Sequence, residues 1–284
     1  MQQERKKQIA DALQKYCEQA GSQNRAANTL KNVSAATITQ VLGSNWDNIS
    51  DGMWNRIAKQ IGAYDDWTFC ADTHTARRFG FYYNDAQHHA TVHAIIEREG
   101  GGKSESAKRY CEENANGWRI KCAEYMNRKT FLATILQTMG KDASGSAFEM
   151  MEAILAYINE LDEPLLVFDE MDKLSDPVFR FFITFYNELE GKSGIVMLGT
   201  DHLRKRIEKG MRLNKMGYKE FFSRIGRRFV TINLTDAEKA ADAADIVRAN
   251  GITNDIDVTR IVNGCDLDIR RLKKLVHATK QQEK

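Results

Sequence analysis

Residues 95–110, IIEREGGGKSESAKRY, decide how the rest of the chain is read. They close the β-branched stretch ATVHAIIE, run through three glycines and open on Lys103-Ser104 into helix-forming sequence. This is the tail of a phosphate-binding loop, G-x-x-x-x-G-K-[ST]. Such loops work because backbone N–H groups at a helix N-terminus point at anionic oxygens, and glycines let the backbone come close. The lysine adds charge at the outer phosphates, and the hydroxyl residue holds Mg²⁺. The spacing predicts a strand over 90–97, a loop over 98–102 and a helix from Lys103. Gly100, Gly101, Gly102, Lys103, Ser104 and Glu105 are the candidate nucleotide-binding residues, with Ser104 on the metal. Glu97 stands where the first glycine belongs. The demand at a strand exit is on backbone angles, so Glu97 is expected to add strain without removing the site.

A second stretch gives the loop its partner. LLVFDEMDKL, residues 165–174, is an apolar strand that delivers Asp169-Glu170 at its C-terminal end, 65 residues beyond Ser104. In an ATPase site the first acid holds Mg²⁺ through water and the second orients and activates the attacking water. A third strand, GIVMLGT, ends in Thr200, placed to contact that water or the outer phosphate. FFSRIGRRF brings Arg224, Arg227 and Arg228 just before another strand, and LDIRRLKKL brings Arg270 and Arg271 to a helix start. Arginines in such places neutralise transition-state charge, one in trans and one in cis.

Strands alternating with helices over residues 86–234 predict an α/β fold, a parallel sheet covered on both faces. From Thr235 the pattern is helical through residue 284, opened by the capping box TDAE. Residues 65–85 show no clear period and read as a linker. Residues 1–64 read as short helices, with Ile9, Leu13, Tyr16 and Cys17 at helical spacing. Ser34 is a good cap for the helix SAATITQVLG and Gly43 a good stop. Two short helices about a tight break, braced by flanking helices, give a helix-turn-helix pattern. Its second helix would present Thr37, Thr39 and Gln40 to DNA; a plain helical bundle is the alternative.

Composition bounds the rest. The chain has 284 residues, 41 Lys and Arg against 39 Asp and Glu, and a formal net charge of +2, so bulk charge does not announce nucleic acid. Residues 203–230 do so locally, with ten Lys/Arg against two acids. Such a patch, including Lys205 and Arg206, binds phosphates without reading sequence. Arg128 and Lys129, after the second strand, are further DNA-contact candidates. The five cysteines are odd in number and widely spaced, which fits a reducing, cytoplasmic compartment. The N-terminus lacks the apolar core of a signal peptide, and no apolar run reaches membrane-spanning length. His88, His89 and His93 lie close together, with no Cys or acid to complete a metal set.

In order, the helix-turn-helix pattern, EREGGGKSESAKRY, LLVFDEMDKL, VMLGTDHL, EFFSRIGRRF and LDIRRLKKL resemble the MuB-like AAA+ ATPases of DNA transposition. That is the family of the B protein of Mu-like transposing phages. The resemblance covers nearly the whole chain; its most specific parts are the strand-ending acids and SRIGRR. It implies an AAA+ P-loop core over 86–234, a helical lid over 235–284 and a helix-turn-helix domain over 1–64. It also implies ATP and Mg²⁺ as cofactors. Lys103 and Ser104 match Walker A, Asp169 and Glu170 Walker B, Thr200 sensor 1, Arg224 the arginine finger and Arg270 sensor 2. Members assemble on duplex DNA as homo-oligomers, in a helical filament or ring, and recruit and stimulate a transposase. The alternatives are a helix-turn-helix regulator or a helicase-loader-like ATPase with little turnover.

Overall fold

Capping residues and apolar spacing cut the first 60 residues into four helices: α1 (Gln3–Gln19), α2 (Gln23–Thr29), α3 (Ala35–Leu42) and α4 (Asp51–Gln60). Ser22, Ser34 and Ser50 cap α2, α3 and α4 by accepting from a backbone N–H one turn in. Ile9, Leu13, Ile38, Val41, Trp54 and Ile57 form their shared core. Trp46 meets Trp54 edge to face, so both act in packing. The computed structural model describes residues 3–63 and 67–282, which form two units divided between Trp67 and Thr68.

The second unit is built on β1 (Val92–Ile96), β2 (Gly117–Lys121), β3 (Leu165–Asp169), β4 (Gly194–Gly199) and β5 (Val230–Thr231). They lie in the order β2-β3-β4-β1-β5, and every pairing is parallel. A strand's side chains alternate between faces, so an all-apolar strand serves two cores. In β3, Leu166 and Phe168 join one core with Phe131, Phe182, Ile195 and Met197. Leu165 and Val167 join the other with Phe79, Tyr83, Ala107, Val196 and Leu198. The first face is covered by α7 (Arg128–Thr138), α8 (Ala147–Asn159) and α9 (Asp176–Leu189), and the second by α5 (His74–His89) and α6 (Lys103–Glu113). After β4 come α10 (Asp201–Arg212) and α11 (Tyr218–Arg224), and after β5 the helices α12 (Asp236–Ala249), α13 (Asp255–Gly264) and α14 (Ile269–Gln282). The TDAE capping box is formed as expected.

Two local readings change. Most of the stretch read as a linker is α5, capped by Thr73 and anchored by Phe79, Tyr83 and Ala86, all buried. Its aromatic cluster around Gly80 masks the helical period. Residues 65 and 66 of that stretch, and residue 64 before it, lie outside the described residues. His88 and His89 end α5, and only His93 lies in β1. His88 pairs with Glu163, and His89 and His93 both pair with Asp85.

Candidate nucleotide site

The loop after β1 continues the sheet before it turns. Glu97 N–H donates to Gly199 O at 3.1 Å, as a further rung beside β4. Glu97 is not among the residues with positive φ, so the position does not demand glycine. The expected strain is absent there. Gly100 (φ 73°) and Gly102 (φ 84°) do sit in the left-handed region. Gly101 is needed for space: a Cβ there would lie 2.7 Å from Glu97 Cγ. Lys103 Nζ folds back onto the loop, donating to Glu97 O at 2.6 Å and Arg98 O at 2.7 Å. Burial pushes its ammonium pKa down, while Glu97, Glu99, Asp169 and Asp172 pull the other way. Ser104 lies half-buried in the first turn of α6, and Glu105 accepts from Arg109 Nε at 3.3 Å.

The acids arrive from the neighbouring strand ends. Asp169 closes β3 and is fully buried. Arg119, on β2, donates to its Oδ2 through Nε at 3.0 Å and Nη2 at 2.6 Å. Asp169 Oδ1 is buried and has no hydrogen-bond partner among the described residues. Glu170 follows at φ 59°, a conformation that costs a non-glycine residue energy. Its carboxylate lies 3.0 Å from Lys173 Nζ and 3.9 Å from Lys121 Nζ. Thr200, at the end of β4, caps α10 and donates from Oγ1 to Asp172 Oδ2 at 3.0 Å. Loop, acids and Thr200 thus all leave the C-terminal ends of adjacent parallel strands, the edge where open α/β sheets bind ligands.

The segment that opens α14 meets the loop directly. Ile269 N–H donates to Gly100 O at 3.1 Å, and Arg98 Nη2 donates to Leu267 O. The Asp268 carboxylate packs on Gly100, where an added Cβ would lie 2.4 Å from it. Asp268 Oδ1 accepts from the backbone N–H of Arg270 at 2.7 Å and of Arg271 at 3.2 Å, opening α14. The Arg270 side chain is exposed. Asp242 of α12, buried, accepts from the backbone N–H of His74 and Thr75, from Thr75 Oγ1, and bonds His74 Nδ1. Between the helices after β5 and the loop runs a narrow cleft of about 30 Å³, walled by Ile232, Leu234, Ile246, Ile269 and Leu272 and edged by Arg98, Lys239 and Asp268. A wider, open hollow of about 350 Å³ lies over the ends of β1, β4 and β5, lined by Glu97, Thr200 and Asn233 among others.

Residues 86–207 match the family model of the AAA domain. No curated protein matches the chain. The five-stranded parallel sheet agrees with an AAA P-loop fold, and the match suggests a nucleotide-dependent ATPase. The AAA domain match takes in Lys103, Ser104, Arg119, Asp169, Glu170 and Thr200 and stops before Arg224 and Arg270.

The cations read as DNA or finger residues divide into two sets. Arg206 is held inside its unit, on Asp176 at 2.6 Å and over the Phe179 ring at 4.7 Å. That network removes it from the free surface. Lys205 is exposed and pairs with Asp201 at 2.9 Å. Arg204, Lys215 and Arg224 are paired as well. Lys209, Arg212, Lys219, Arg227 and Arg228 are exposed with no ion pair among the described residues. Arg224 closes α11, reaching Glu190 at 3.6 Å and Glu220 at 3.7 Å, with its guanidinium over Tyr186. Arg128 and Lys129 are exposed at the start of α7, Arg128 over Phe181. In the N-terminal unit Gln40 is exposed, Thr37 is half-buried beside its cap Ser34, and Thr39 Oγ1 donates to Gln23.

Sequence reasoning missed Arg119, Asp172, Asp242 and Asp268. The signal for Arg119 was an arginine in mid-strand between Trp118 and Ile120, which must find a partner if it is to be buried.

Proposed function

We propose that the protein is an ATP-dependent, DNA-binding ATPase that oligomerises on duplex DNA and recruits or stimulates a transposase. The observation that carries the ATPase part is the convergence of Lys103, Ser104, Asp169, Glu170 and Thr200 on one sheet edge within the matched AAA domain. The orphaned, buried Asp169 Oδ1 fits a hydrated Mg²⁺, which Ser104 would share. Bound Mg²⁺ neutralises charge on the phosphate oxygens.

The chain's own residues divide the remaining work. The N–H groups after Gly100 and at the start of α6 face the phosphates, and Lys103 exchanges the two carbonyls it now holds for phosphate oxygens. The cleft beneath the lid offers the apolar walls Ile232, Leu234, Ile269 and Leu272 to the base and must widen to admit it. Glu170 accepts a proton from the attacking water once it leaves Lys173. Thr200 and Asp172, already bonded to one another, would hold that water. Arg270, exposed at the first turn of α14, supplies charge from the lid. The exposed cations and Arg128 and Lys129 suit the DNA backbone. Transposase recruitment rests on the ordered resemblance of motifs.

The test is calorimetry with ATP on wild type and Lys103→Ala, paired with hydrolysis rates with and without duplex DNA. Binding lost in the variant, and DNA-stimulated hydrolysis in wild type, are the expected results. Equal binding in the two proteins would place the nucleotide elsewhere.

A further inference from the structure

Asp169 is held in a lopsided way. An arginine beside a carboxylate commonly spreads two parallel N–H bonds over both oxygens. Here Nε and Nη2 of Arg119 both go to Oδ2, at 3.0 and 2.6 Å. Oδ1 is left buried and without a hydrogen-bond partner among the described residues. Buried acceptors without partners are rare, and each calls for an explanation. The strand register explains how Arg119 reaches one oxygen. Lys121 stands opposite Asp169 and Arg119 opposite Val167, so Arg119 approaches from two residues back along β2, on the same face. Its side chain is 24% exposed and that of Asp169 fully buried. Lys121, the nearer residue in register, reaches towards Glu170 instead.

We infer that Arg119 is a positioning residue for the metal acid: it fixes the Asp169 carboxylate through Oδ2 so that Oδ1 alone is presented to the nucleotide's hydrated Mg²⁺. The inference rests on the reading of this edge as a nucleotide site. A guanidinium bonded to one oxygen stops rotation about the Cβ–Cγ bond and keeps the second lone-pair set free. An apolar residue at 119 leaves the carboxylate free to turn and without a fixed counter-charge. The role is therefore in metal coupling, not in nucleotide contact, because Arg119 lies on β2 and is not part of the phosphate loop.

The test separates nucleotide binding from metal coupling. A non-hydrolysable ATP analogue is titrated calorimetrically into wild type, Arg119→Met and Arg119→Lys, first in EDTA and then at graded Mg²⁺. Removal of a residue that orients a metal ligand typically costs about 10–100-fold in metal affinity. The expected result for Arg119→Met is metal-free affinity like wild type, with the Mg²⁺ midpoint raised by about that factor. Arg119→Lys should recover part of the shift, and it carries the same test if Arg119→Met does not fold. An unchanged Mg²⁺ midpoint overturns the inference. So does a lowered midpoint, which would make Arg119 a competitor of the metal, and so does an equal loss of affinity with and without metal. If wild type binds no analogue, the nucleotide reading itself fails and this role with it. If wild type binds, Lys103→Ala does not, and Arg119→Met matches wild type at every Mg²⁺ level, only the role of Arg119 fails.

Discussion

Glu170 combines two features that suit a catalytic group more than a structural one. It holds φ at 59° without being glycine, and among the described residues its carboxylate is paired only with the Lys173 and Lys121 ammonium groups. Backbone strain of this kind costs about 1–3 kcal/mol and persists where the surroundings impose it. Glu170→Gln keeps the shape and removes the base. It should bind ATP like wild type and lose hydrolysis by about 10²–10⁴-fold, measured as phosphate release under saturating ATP. Equal rates in the two proteins would remove Glu170 from the reaction. At this scale the sequence was informative wherever chemistry sits next to its own structural signal. Asp169 and Glu170 were legible because four apolar strand residues lead straight into them. Arg119 was not, because its partner lies 50 residues away and nothing local marks the pair. Glu97 was overread: its departure from the glycine pattern suggested strain, while the backbone there is ordinary.

Among the elements, α5 and α12 depend on one another through Asp242. The first turn of any helix leaves N–H groups without partners, and here the lid supplies the acceptor to those of His74 and Thr75. Asp242→Ala would take the acceptor from two part-buried donors, at up to about 1–3 kcal/mol. The expected outcome is a lower Tm with the AAA core still folded. The pH dependence has a definite sign. Burial alone would raise the Asp242 pKa, but the bonds from Thr75 and His74 outweigh it and hold the carboxyl below its ordinary value. Its contribution is therefore complete above the unfolded carboxylate pKa, about 3.9, and lost as pH falls through the lower folded value. Melting curves of wild type and Asp242→Ala should converge on acidification below about pH 4 and stay apart at neutral pH; a constant gap would contradict the account. The strands and most helices were legible because apolar runs, caps and glycines coincide with their limits. The aromatic run FGFYY hid α5, since such residues favour strands as readily as buried helix positions. The contact of the lid with Gly100 was equally invisible, since it joins residues 169 apart in sequence.

For the molecule as a whole, half of the cations in residues 203–230 pair with acids of their own unit, and those without an ion pair among the described residues are Lys209, Arg212, Lys219, Arg227 and Arg228. DNA affinity should therefore respond to Lys209→Gln with Arg212→Gln, equally on unrelated duplexes and with a shallower salt slope by up to about 2. Arg206 is unsuited to that test, because its removal leaves Asp176 without its guanidinium partner. The same division bears on which arginine completes a neighbour's site. Arg224 is engaged with Glu190, Glu220 and Tyr186, whereas Arg227 and Arg228 are exposed in the turn before β5. An arginine provided in trans is worth about 10³–10⁵-fold in turnover. If assembly on DNA brings that turn to a second subunit's phosphates, hydrolysis is coupled to oligomerisation through these two residues. Arg227→Ala with Arg228→Ala should fold, bind ATP and lose DNA-stimulated hydrolysis, while Arg224→Ala should retain it. Mixing the double variant with Lys103→Ala should restore activity, since Lys103→Ala subunits carry the arginines and the double variant carries intact phosphate loops. A double variant that hydrolyses normally while Arg224→Ala is inactive would return the role to Arg224, whose exposed ion pairs are weak enough to exchange. A mixture that stays inactive although both proteins co-assemble on DNA would mean that neither Arg227 nor Arg228 acts across a subunit boundary.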